Sequence, residues 1–361
     1  MFSEPTVFVV GAGASAEYGI AVGDKLKLEI AHLLNLYYDG GQLTRGDHQI
    51  DEWLRRHNQA TTGSYQISQA QFRSARLISD AMPHALSIDN FIDAHRGDEE
   101  IALCAKLGIT KAILLEEGRS TLAALKNPYD AFSFTHVANT WLARLFQMAT
   151  ENVAKSEVEE LFDNLTLIVF NYDRCVEAYF PRALQQYYGM QPREAAQLLS
   201  KLRIIHPYGV AGGLDDRGEM TVPFGSTDVD LLEVSQGIRT FSEGLADSRI
   251  GSHIEAALRS ASTLVFLGFS FHPLNLELLN SSTPHLKRIL ATTHGLSKSA
   301  VATIEKTLLE TYNKAEPRGL IMSQGDRLDE LELVDLKAYD FCSQYFRSLS
   351  STRPLEATRS A

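Results

Sequence analysis

The stretch that decides the fold is Val7-Phe8-Val9-Val10-Gly11-Ala12-Gly13-Ala14-Ser15. Its first four residues are β-branched or aromatic and predict a buried strand, and the glycines after them predict a tight turn into a helix. Because glycine has no Cβ, a phosphate can approach the unpaired N–H groups at such a helix N-terminus. The turn therefore predicts a phosphate-binding loop, although glycine turns also follow strands in α/β proteins that bind no nucleotide.

The composition limits the classes of function. Of the 361 residues, 44% are apolar and 22% are charged, which is typical of a globular chain with one large or two medium domains. With 45 acidic and 34 basic side chains the formal net charge is −11, and no run of Lys or Arg stands out. Nucleic acid is not expected as a direct ligand, because neutralising its phosphates needs a basic face.

The chain carries no pattern of a membrane or metal protein. No apolar run reaches the roughly 18 residues of a membrane span, and no signal peptide precedes the first strand, so we expect a cytoplasmic protein without membrane contact. Cys104, Cys175 and Cys342 are too far apart in sequence for a disulfide framework or a cysteine-based zinc site. We expect them to be reduced and buried, with no bound metal.

Helical spacing dominates the segment that follows the glycine loop. The leucines between residues 26 and 34 predict an amphipathic helix whose N-terminus faces the ligand. Residues 40–159 contain no strand-like run and predict a helical insertion. Within this insertion, Ser64 to Arg76 are rich in serine and glutamine and predict a surface loop.

Strand and helix patterns alternate from residue 165 onward. Short apolar runs predict further strands at Leu165–Phe170, Arg203–Ile205, Thr263–Leu267, Lys287–Ala291 and Gly319–Met322. Alternation of this kind predicts an α/β fold, namely a Rossmann-like doubly wound parallel sheet with a helical insertion. We therefore expect a discontinuous Rossmann domain of residues 1–39 and 160–345, the insertion 40–159, and a polar C-terminal tail 346–361.

Polar or small residues follow each of the first five predicted strands. The motifs are Gly11-Ala12-Gly13-Ala14-Ser15, Asn171-Tyr172-Asp173, His206-Pro207-Tyr208-Gly209, Gly268-Phe269-Ser270-Phe271-His272 and Thr292-Thr293-His294-Gly295. Ligands of open parallel sheets bind at the carboxyl ends of the strands, so these motifs together predict one polar binding edge. Taken singly, each also has a structural reading: a helix cap, a structural histidine or a tight turn.

The order of these motifs resembles the sirtuin-like NAD-binding fold. More closely, it resembles the bacterial sirtuin-like NAD hydrolases of antiphage defence. The resemblance covers residues 7–25 and about 160–295. It implies that NAD⁺ is the substrate and that the first loop, residues 11–15, holds the pyrophosphate of NAD⁺ through the backbone of Ala12 to Ser15.

The resemblance also assigns roles at the other strand ends. It implies that Asn171 lies at the nicotinamide ribose, Asp173 near the nicotinamide carboxamide, and His206 beside the ribose hydroxyls. Gly268 and Ser270 are implied to face the adenosine half of the dinucleotide.

Two departures from the sirtuin pattern bear on the reaction. Sirtuin deacylases carry a four-cysteine zinc module and an uninterrupted His-Gly pair. This chain has three scattered cysteines, and Pro207 and Tyr208 separate His206 from Gly209. Removal of acyl groups from peptide lysines and protein ADP-ribosylation are therefore the less favoured alternatives.

The residue types suit hydrolysis of the nicotinamide N-glycosidic bond. Nicotinamide leaves as a neutral molecule, so the site needs no general acid and must stabilise an oxocarbenium-like ribose and deliver water. The amide of Asn171 can hold a ribose hydroxyl and a water, and the imidazole of His206 can act as base. The carboxylate of Asp173 can stabilise the developing positive charge. These three residues are the predicted catalytic group of an NAD⁺ glycohydrolase.

Two other functions remain open. The first is a module that binds NAD or ADP-ribose without turnover. The second is a dehydrogenase, because Gly11-x-Gly13-x-x-Ala16 fits the dinucleotide fingerprint and Asp39 lies where a ribose-binding acid can fall. Residues 31–38 predict a helix and not the second strand that a dehydrogenase needs there. A nucleoside triphosphatase is disfavoured because no Gly-Lys-Ser/Thr follows the loop.

An enzyme that depletes NAD⁺ needs an inactive state. We expect this state to depend on a homo-oligomer or on a companion defence protein, with the helical insertion as the interface. The resembled family implies an ATPase or a nucleic-acid sensor as companion.

Overall fold

A six-stranded parallel sheet forms the centre of the fold in the computed structural model, which describes residues 2–126, 132–215, 217–312 and 328–350. Its strands are β1 (Thr6–Val10), β4 (Leu165–Val169), β5 (Arg203–Ile205), β6 (Thr263–Leu267), β7 (Arg288–Thr292) and β8 (Glu330–Val334). They lie in the order β5-β4-β1-β6-β7-β8. The prediction of a Rossmann-like doubly wound α/β fold is confirmed.

The first strand lies at the middle of the sheet and sets its topology. Val10 pairs with Val169 of β4 on one side and with Leu267 of β6 on the other. From β1 the sheet grows outward through β4 to β5, and the chain then returns to the other side of β1 to add β6, β7 and β8. The strand order reverses between β1 and β6, which is where ligands bind in open α/β sheets.

Alternating side chains of β1 pack on opposite faces of the sheet. Val7 and Val9 belong to one apolar cluster, and Phe8 and Val10 belong to the other. All five residues of β1 are buried, as the run of β-branched and aromatic residues predicts for a central strand covered on both faces.

Helices cover both faces of the sheet. Their bounds are α1 (Ala12–Ser15), α2 (Asp24–Leu33), α3 (His48–Thr62), α4 (Gln69–Ala81), α5 (Ile88–Ala94), α6 (Glu99–Arg119), α7 (Trp141–Thr150), α8 (Cys175–Tyr188), α9 (Pro192–Leu199), α10 (Leu231–Ser235), α11 (Phe241–Ala246), α12 (Ser248–Ser260), α13 (Pro273–Leu278), α14 (Lys298–Tyr312), α15 (Ala338–Gln344) and α16 (Phe346–Leu349). Short 3₁₀ turns occupy Ala16–Tyr18, Ala123–Lys126, Phe134–Val137 and Lys155–Glu160. The apolar cluster that contains Val7 includes side chains from helices α2, α3, α4, α6, α12 and α14. The cluster that contains Phe8 includes side chains from α7, α8, α9 and α15.

The segment between α2 and β4 is mainly helical, as predicted, but it is not free of strands. Tyr37–Asp39 (β2) and Gln42–Arg45 (β3) form a two-stranded antiparallel hairpin. Gly40 and Gly41 both have positive φ and make its tight turn. The expectation of a helix over residues 31–38 is therefore wrong beyond Leu33, where α2 ends.

The predicted surface loop at Ser64 to Arg76 is also wrong beyond its first residues. Helix α4 begins at Gln69, and Ser68 forms a capping box with Gln71. The Gln71 side chain is buried and exchanges two 2.8 Å hydrogen bonds with the Asn58 amide of α3. The polar residues of this stretch thus start a helix instead of forming a loop.

The C-terminal part differs from the prediction at two places. The sixth strand is β8, Glu330–Val334, whereas the predicted strand Gly319–Met322 lies outside the described residues. The predicted tail begins with a short helix, α16, whose Leu349 is buried, and residues 351–361 lie outside the described part.

Two further observations concern the described residues as a whole. All three cysteines are free and buried, as expected. Within the described ranges, every helix is too short or too polar to cross a lipid bilayer.

Candidate functional site

A cavity of about 750 Å³ lies along the carboxyl ends of the parallel strands. Residues that follow each of the six strands line it, from Tyr208 beyond β5 to Lys337 beyond β8. Its volume is within the roughly 300–1,000 Å³ of small-molecule sites. Because the cavity crosses the sheet at the β1–β6 reversal, it occupies the position where Rossmann-like folds bind ligands.

Two glycine turns contact each other at the floor of this cavity. The N–H of Gly13 donates to the carbonyl of Gly268 at 3.0 Å. A Cβ on Gly11 would lie 2.4 Å from the Gly268 oxygen, and a Cβ on Gly268 would lie 2.2 Å from the Ala14 nitrogen. Gly268 also has φ +58°, a conformation that other residues rarely adopt. These glycines are therefore required for the close approach of the two backbones.

The first glycine turn presents only part of its backbone to the cavity. Gly11, Ala12 and Gly13 line the cavity, whereas Ala14 and Ser15 are buried beneath it. The N–H groups of Gly13 and Ala14 donate to the carbonyls of Gly268 and Gly11. The helix after the turn, α1, has four residues, so its dipole is small. The loop predicted to bind phosphate lies at the cavity, and the N–H groups of Gly11, Gly13 and Ala14 already donate to carbonyl groups of the protein.

Asn171 lies between the glycine turn and the cavity. Its Nδ2 donates to the Oγ of Ser15 at 2.8 Å and to the carbonyl of Gly11 at 3.1 Å. These two bonds fix the orientation of the amide. Its Oδ1 is buried and has no hydrogen-bond partner among the described residues. Since a buried polar atom without a partner costs about 1–3 kcal/mol, this oxygen marks a place where a ligand donor would be stabilised.

His206 lies next to Asn171 but does not line the cavity. Its Nδ1 is 3.2 Å from the carbonyl oxygen of Asn171, and its Nε2 is 2.8 Å from Oε1 of Glu177. Burial lowers the pKa of the imidazole, but Glu177 and the Asn171 carbonyl outweigh burial and raise the pKa above its usual value. Both ring nitrogens are engaged, so the predicted role as base at the ribose does not fit this position.

Asp173 lines the cavity and is nearly fully buried. Its Oδ1 accepts a hydrogen bond from the Cys175 N–H at 3.2 Å at the start of α8. This bond lies just before the helix, whose N-cap residue is Arg174 and has no side-chain cap hydrogen bond, so the helix cap that the sequence offered as an alternative is not formed and Asp173 lines the cavity.

A buried ion pair lies directly behind Asp173. The side chains of Arg174 and Glu117 are both 0% exposed, and the guanidinium binds both carboxylate oxygens. Arg174 Nη1 also donates to the carbonyls of Gly212 and Val222. Glu117 belongs to α6, so this pair joins the helical insertion to the segment that carries the predicted catalytic residues.

The remaining predicted site residues lie at the cavity, in the turn after β6. Gly268 and Ser270 line it, and Ser270 is exposed to it. The side chain of Thr292 accepts from the Gly268 N–H at 2.8 Å and supports this turn from β7. Phe271, next in the chain, has φ +54°, a strained conformation for a residue with a side chain.

The sequence analysis missed several cavity residues, among them Asp89, His272 and Asn275. Asp89 comes from α5 of the insertion, and its carboxylate accepts a hydrogen bond from the hydroxyl of Tyr172. His272 and Asn275 follow β6, and Asn275 accepts a hydrogen bond from Tyr208. Only His272 stands in a motif that the sequence analysis had singled out, and nothing in the local pattern near residue 89 indicates that the insertion reaches the strand ends.

The charged side chains of the cavity are few. Its acidic residues are Glu17, Asp89 and Asp173, and its basic residues other than histidine are Lys27 and Lys337. Burial raises the pKa of Glu17, whose carboxylate accepts from the Trp141 N–H at 2.8 Å and the Tyr339 N–H at 2.7 Å. The described residues contain no group of three or more side chains placed to bind a metal ion.

Comparison with known proteins assigns no family to this geometry. No family model and no curated protein matches the chain. The functional interpretation therefore depends on the position of the cavity and on the chemistry of the residues that line it.

Proposed function

We propose that the protein is an NAD⁺ glycohydrolase. In this reaction water replaces nicotinamide at the anomeric carbon of the nicotinamide ribose. The C–N glycosidic bond breaks with its electron pair going to nicotinamide, a C–O bond forms, and one proton is released. The products are nicotinamide and ADP-ribose, and no oxidant, reductant or metal enters the balance.

One observation carries the proposal, namely that Asn171, which lines the cavity over the strand reversal, has a buried Oδ1 with no hydrogen-bond partner among the described residues. An amide oxygen accepts hydrogen bonds, so the missing partner is a donor such as water or a ribose hydroxyl. We expected Asn171 to use its NH₂ group on the substrate as well. That group is instead bound to Ser15 and Gly11, which leaves Oδ1 to position the substrate.

Asp173 is the group we propose to stabilise the transition state. The ribose gains positive charge as the glycosidic bond breaks, and a carboxylate on the same cavity wall attracts that charge. Two unit charges about 4 Å apart attract by about 4 kcal/mol at an effective dielectric constant of ~20. Because nicotinamide leaves as a neutral molecule, the reaction does not depend on a general acid.

His206 is a positioning residue in this proposal. It contacts the backbone carbonyl of Asn171 and is itself held by Glu177. The imidazole therefore fixes the loop that carries Asn171 and does not remove a proton from the attacking water. The proton of that water passes to solvent or to a cavity carboxylate after the C–O bond has formed.

The pyrophosphate would lie over the first glycine turn. With the N–H groups of Gly13 and Ala14 engaged, the N–H of Ala12 at the start of α1 is the donor we expect to contact it. Lys337, an exposed cation at the cavity, offers a second attraction.

A second candidate function is a module that binds NAD or ADP-ribose without cleaving it. The observation that favours it is the position of His206, which leaves the predicted base outside the cavity. The dehydrogenase alternative has less support. Asp39 lies in the β2–β3 hairpin and not after a strand of the main sheet, so it cannot hold a ribose at the strand ends.

Product analysis separates these functions. The purified full chain is incubated with NAD⁺, alone and with extract from phage-infected cells, and the products are separated by chromatography. We expect equal amounts of nicotinamide and ADP-ribose. If calorimetry detects binding of NAD⁺ but neither product forms, the binding module is supported. If the chain neither binds NAD⁺ nor forms the products, both functions are refuted.

We also propose that the activity is regulated, since unrestrained loss of NAD⁺ is lethal to a cell, and that it serves antiphage defence. The insertion remains the proposed interface for a homo-oligomer or a companion protein. Its packing gives this interface little support, because α6 is buried against α2, α3 and α4. Among the described residues of the insertion, the exposed large apolar side chains are few, namely Tyr65, Leu77 and Leu86. Sedimentation of the purified chain with and without NAD⁺ tests the oligomer.

A further inference from the structure

The helical insertion supplies one acidic side chain to the cavity. Ser87 caps α5 by accepting a 3.0 Å hydrogen bond from the Asn90 N–H, and Asp89 lies in the first turn of this helix. The Asp89 carboxylate accepts a hydrogen bond from the hydroxyl of Tyr172. Tyr172 stands between Asn171 and Asp173 in the chain, so the insertion contacts the same strand end that carries the proposed catalytic residues.

Aromatic rings surround this end of the cavity. Phe170, Tyr172, Tyr208 and Phe269 line it together with Asp89. The ring centroids of Phe170 and Phe269 are 5.1 Å apart, and those of Phe170 and Tyr208 are 5.7 Å apart. A carboxylate beside these rings is poorly hydrated. Burial raises the pKa of Asp89, and the hydrogen bond from Tyr172 lowers it by less.

No Lys or Arg of the described residues pairs with this carboxylate, and the basic side chain that acts on it is His272, which lines the same cavity and lowers the pKa of Asp89. Asp89 takes part in none of the ion pairs with Lys or Arg that join the described residues, and no arginine lines the cavity. Lys27 is held elsewhere, with its Nζ 2.9 Å from Asp24 and 2.7 Å from the Ala85 carbonyl oxygen. A half-buried carboxylate among aromatic rings therefore suits a ligand that brings both a flat ring and a positive charge.

We propose that Asp89 is a specificity-determining residue that binds the positively charged nicotinamide ring of NAD⁺ and excludes the neutral ring of NADH. The inference rests on the proposed function, because it takes NAD⁺ as the substrate. It gives the insertion a part in substrate selection in addition to any role in assembly. The aromatic walls contribute through cation–π attraction, and Asp89 contributes the opposite charge.

The test is calorimetric binding of a carbocyclic NAD⁺ analogue, which keeps the charged ring but is not cleaved, compared with binding of NADH. For the full wild-type chain we expect tighter binding of the charged analogue. Asp89→Asn should weaken binding of the analogue by ~10-fold and leave NADH binding within about twofold, because one charge–charge attraction is lost. Asp89→Glu should retain most of the preference, since it keeps the charge.

The matched control is Asp93→Asn. Asp93 lies on the same helix but pairs with Arg96 outside the cavity, so the wild-type preference should persist. The melting temperature of each variant is measured to check that it is folded. Asp89→Asn should melt no lower than the wild type, because the substitution removes a poorly hydrated charge.

The outcomes separate this inference from the proposed function. If the wild type cleaves NAD⁺ but Asp89→Asn keeps its preference for the charged analogue, or loses both ligands equally, the role of Asp89 is refuted and the activity stands. If the wild type neither cleaves NAD⁺ nor binds the analogue, both fail.

Discussion

The side-chain amide of Asn171 donates a 2.8 Å hydrogen bond to the hydroxyl of Ser15, across the boundary between the ends of β4 and β1. The two residues are 156 positions apart in the chain. This bond and the bond to the Gly11 carbonyl occupy the nitrogen of the Asn171 amide. Its oxygen is therefore the polar atom of the amide that has no partner among the described residues. The glycine turn therefore orients a candidate catalytic residue in addition to its expected contact with phosphate.

Ser15→Ala tests this orientation. The variant leaves Asn171 with a single hydrogen bond, to Gly11, so we expect about 1 kcal/mol lower stability. We also expect a ~10- to 100-fold lower kcat for nicotinamide release with a smaller change in KM, because the amide is misplaced in the transition state. Ser252→Ala, on the exposed face of α12, is the control and should change neither. An unchanged kcat in Ser15→Ala contradicts the orienting role.

The contact of the two glycine turns is tested by Gly268→Ala. A Cβ there would lie 2.2 Å from the Ala14 nitrogen at a φ of +58°, so we expect a loss of ~3 kcal/mol or more in the free energy of unfolding and a loss of NAD⁺ binding. Gly295→Ala is the control, because Gly295 has φ +76° with no atom within 4 Å of its Cβ position. It should cost ~1 kcal/mol and leave binding intact. Urea denaturation measures both, and equal losses contradict the account.

Glu117→Ala tests the junction between the insertion and the site. The substitution leaves the Arg174 guanidinium buried without its carboxylate, and we expect ~3–5 kcal/mol of destabilisation. Glu310→Ala removes the partner of Lys306 from an exposed pair and should cost at most ~1 kcal/mol. Chemical denaturation compares the two, and similar costs would show that the buried pair does not hold the insertion in place.

The stability of the protein should depend on the protonation of His206. Its pKa is raised in the folded state, so the stabilisation by the Glu177 pair is complete below the unfolded value of about 6.5 and is lost as the pH rises through the raised pKa. We therefore expect His206→Gln to lose more stability at pH 6 than at pH 9. Glu177→Gln should abolish this difference, and urea denaturation at both pH values measures it. A larger loss at pH 9 contradicts the sign.

Much of the fold could be predicted because β1 is buried on both faces. The residues Val7–Val10 are all apolar, and so are those of Thr263–Leu267 after the first, so their pattern identifies central strands. The edge strand Glu330–Val334 is half-exposed and alternates acidic with apolar residues, which leaves no continuous apolar run to detect. The hairpin at residues 37–45 has mainly polar, exposed strands, so it also lacks the apolar run that would predict a strand.

The site was predictable only where its residues follow strands. Asn171, Asp173 and Gly268 line the cavity because parallel strands end on one edge. The sequence does not show in which direction a side chain points at the end of a strand. His206 points toward Glu177 and does not line the cavity. Asp89 arrives from an insertion whose tertiary position follows from packing and not from any local pattern.

The most direct test of the central claim compares nicotinamide release from NAD⁺ by the wild type, Asn171→Ala and Asn164→Ala. Asn164 lies at the opposite end of β4 and binds the Phe2 carbonyl oxygen at 3.0 Å. We predict release by the wild type and by Asn164→Ala, and at least ~100-fold slower release by a folded Asn171→Ala. Wild-type rates in Asn171→Ala, or no release by the wild type even with extract of phage-infected cells, would contradict the account.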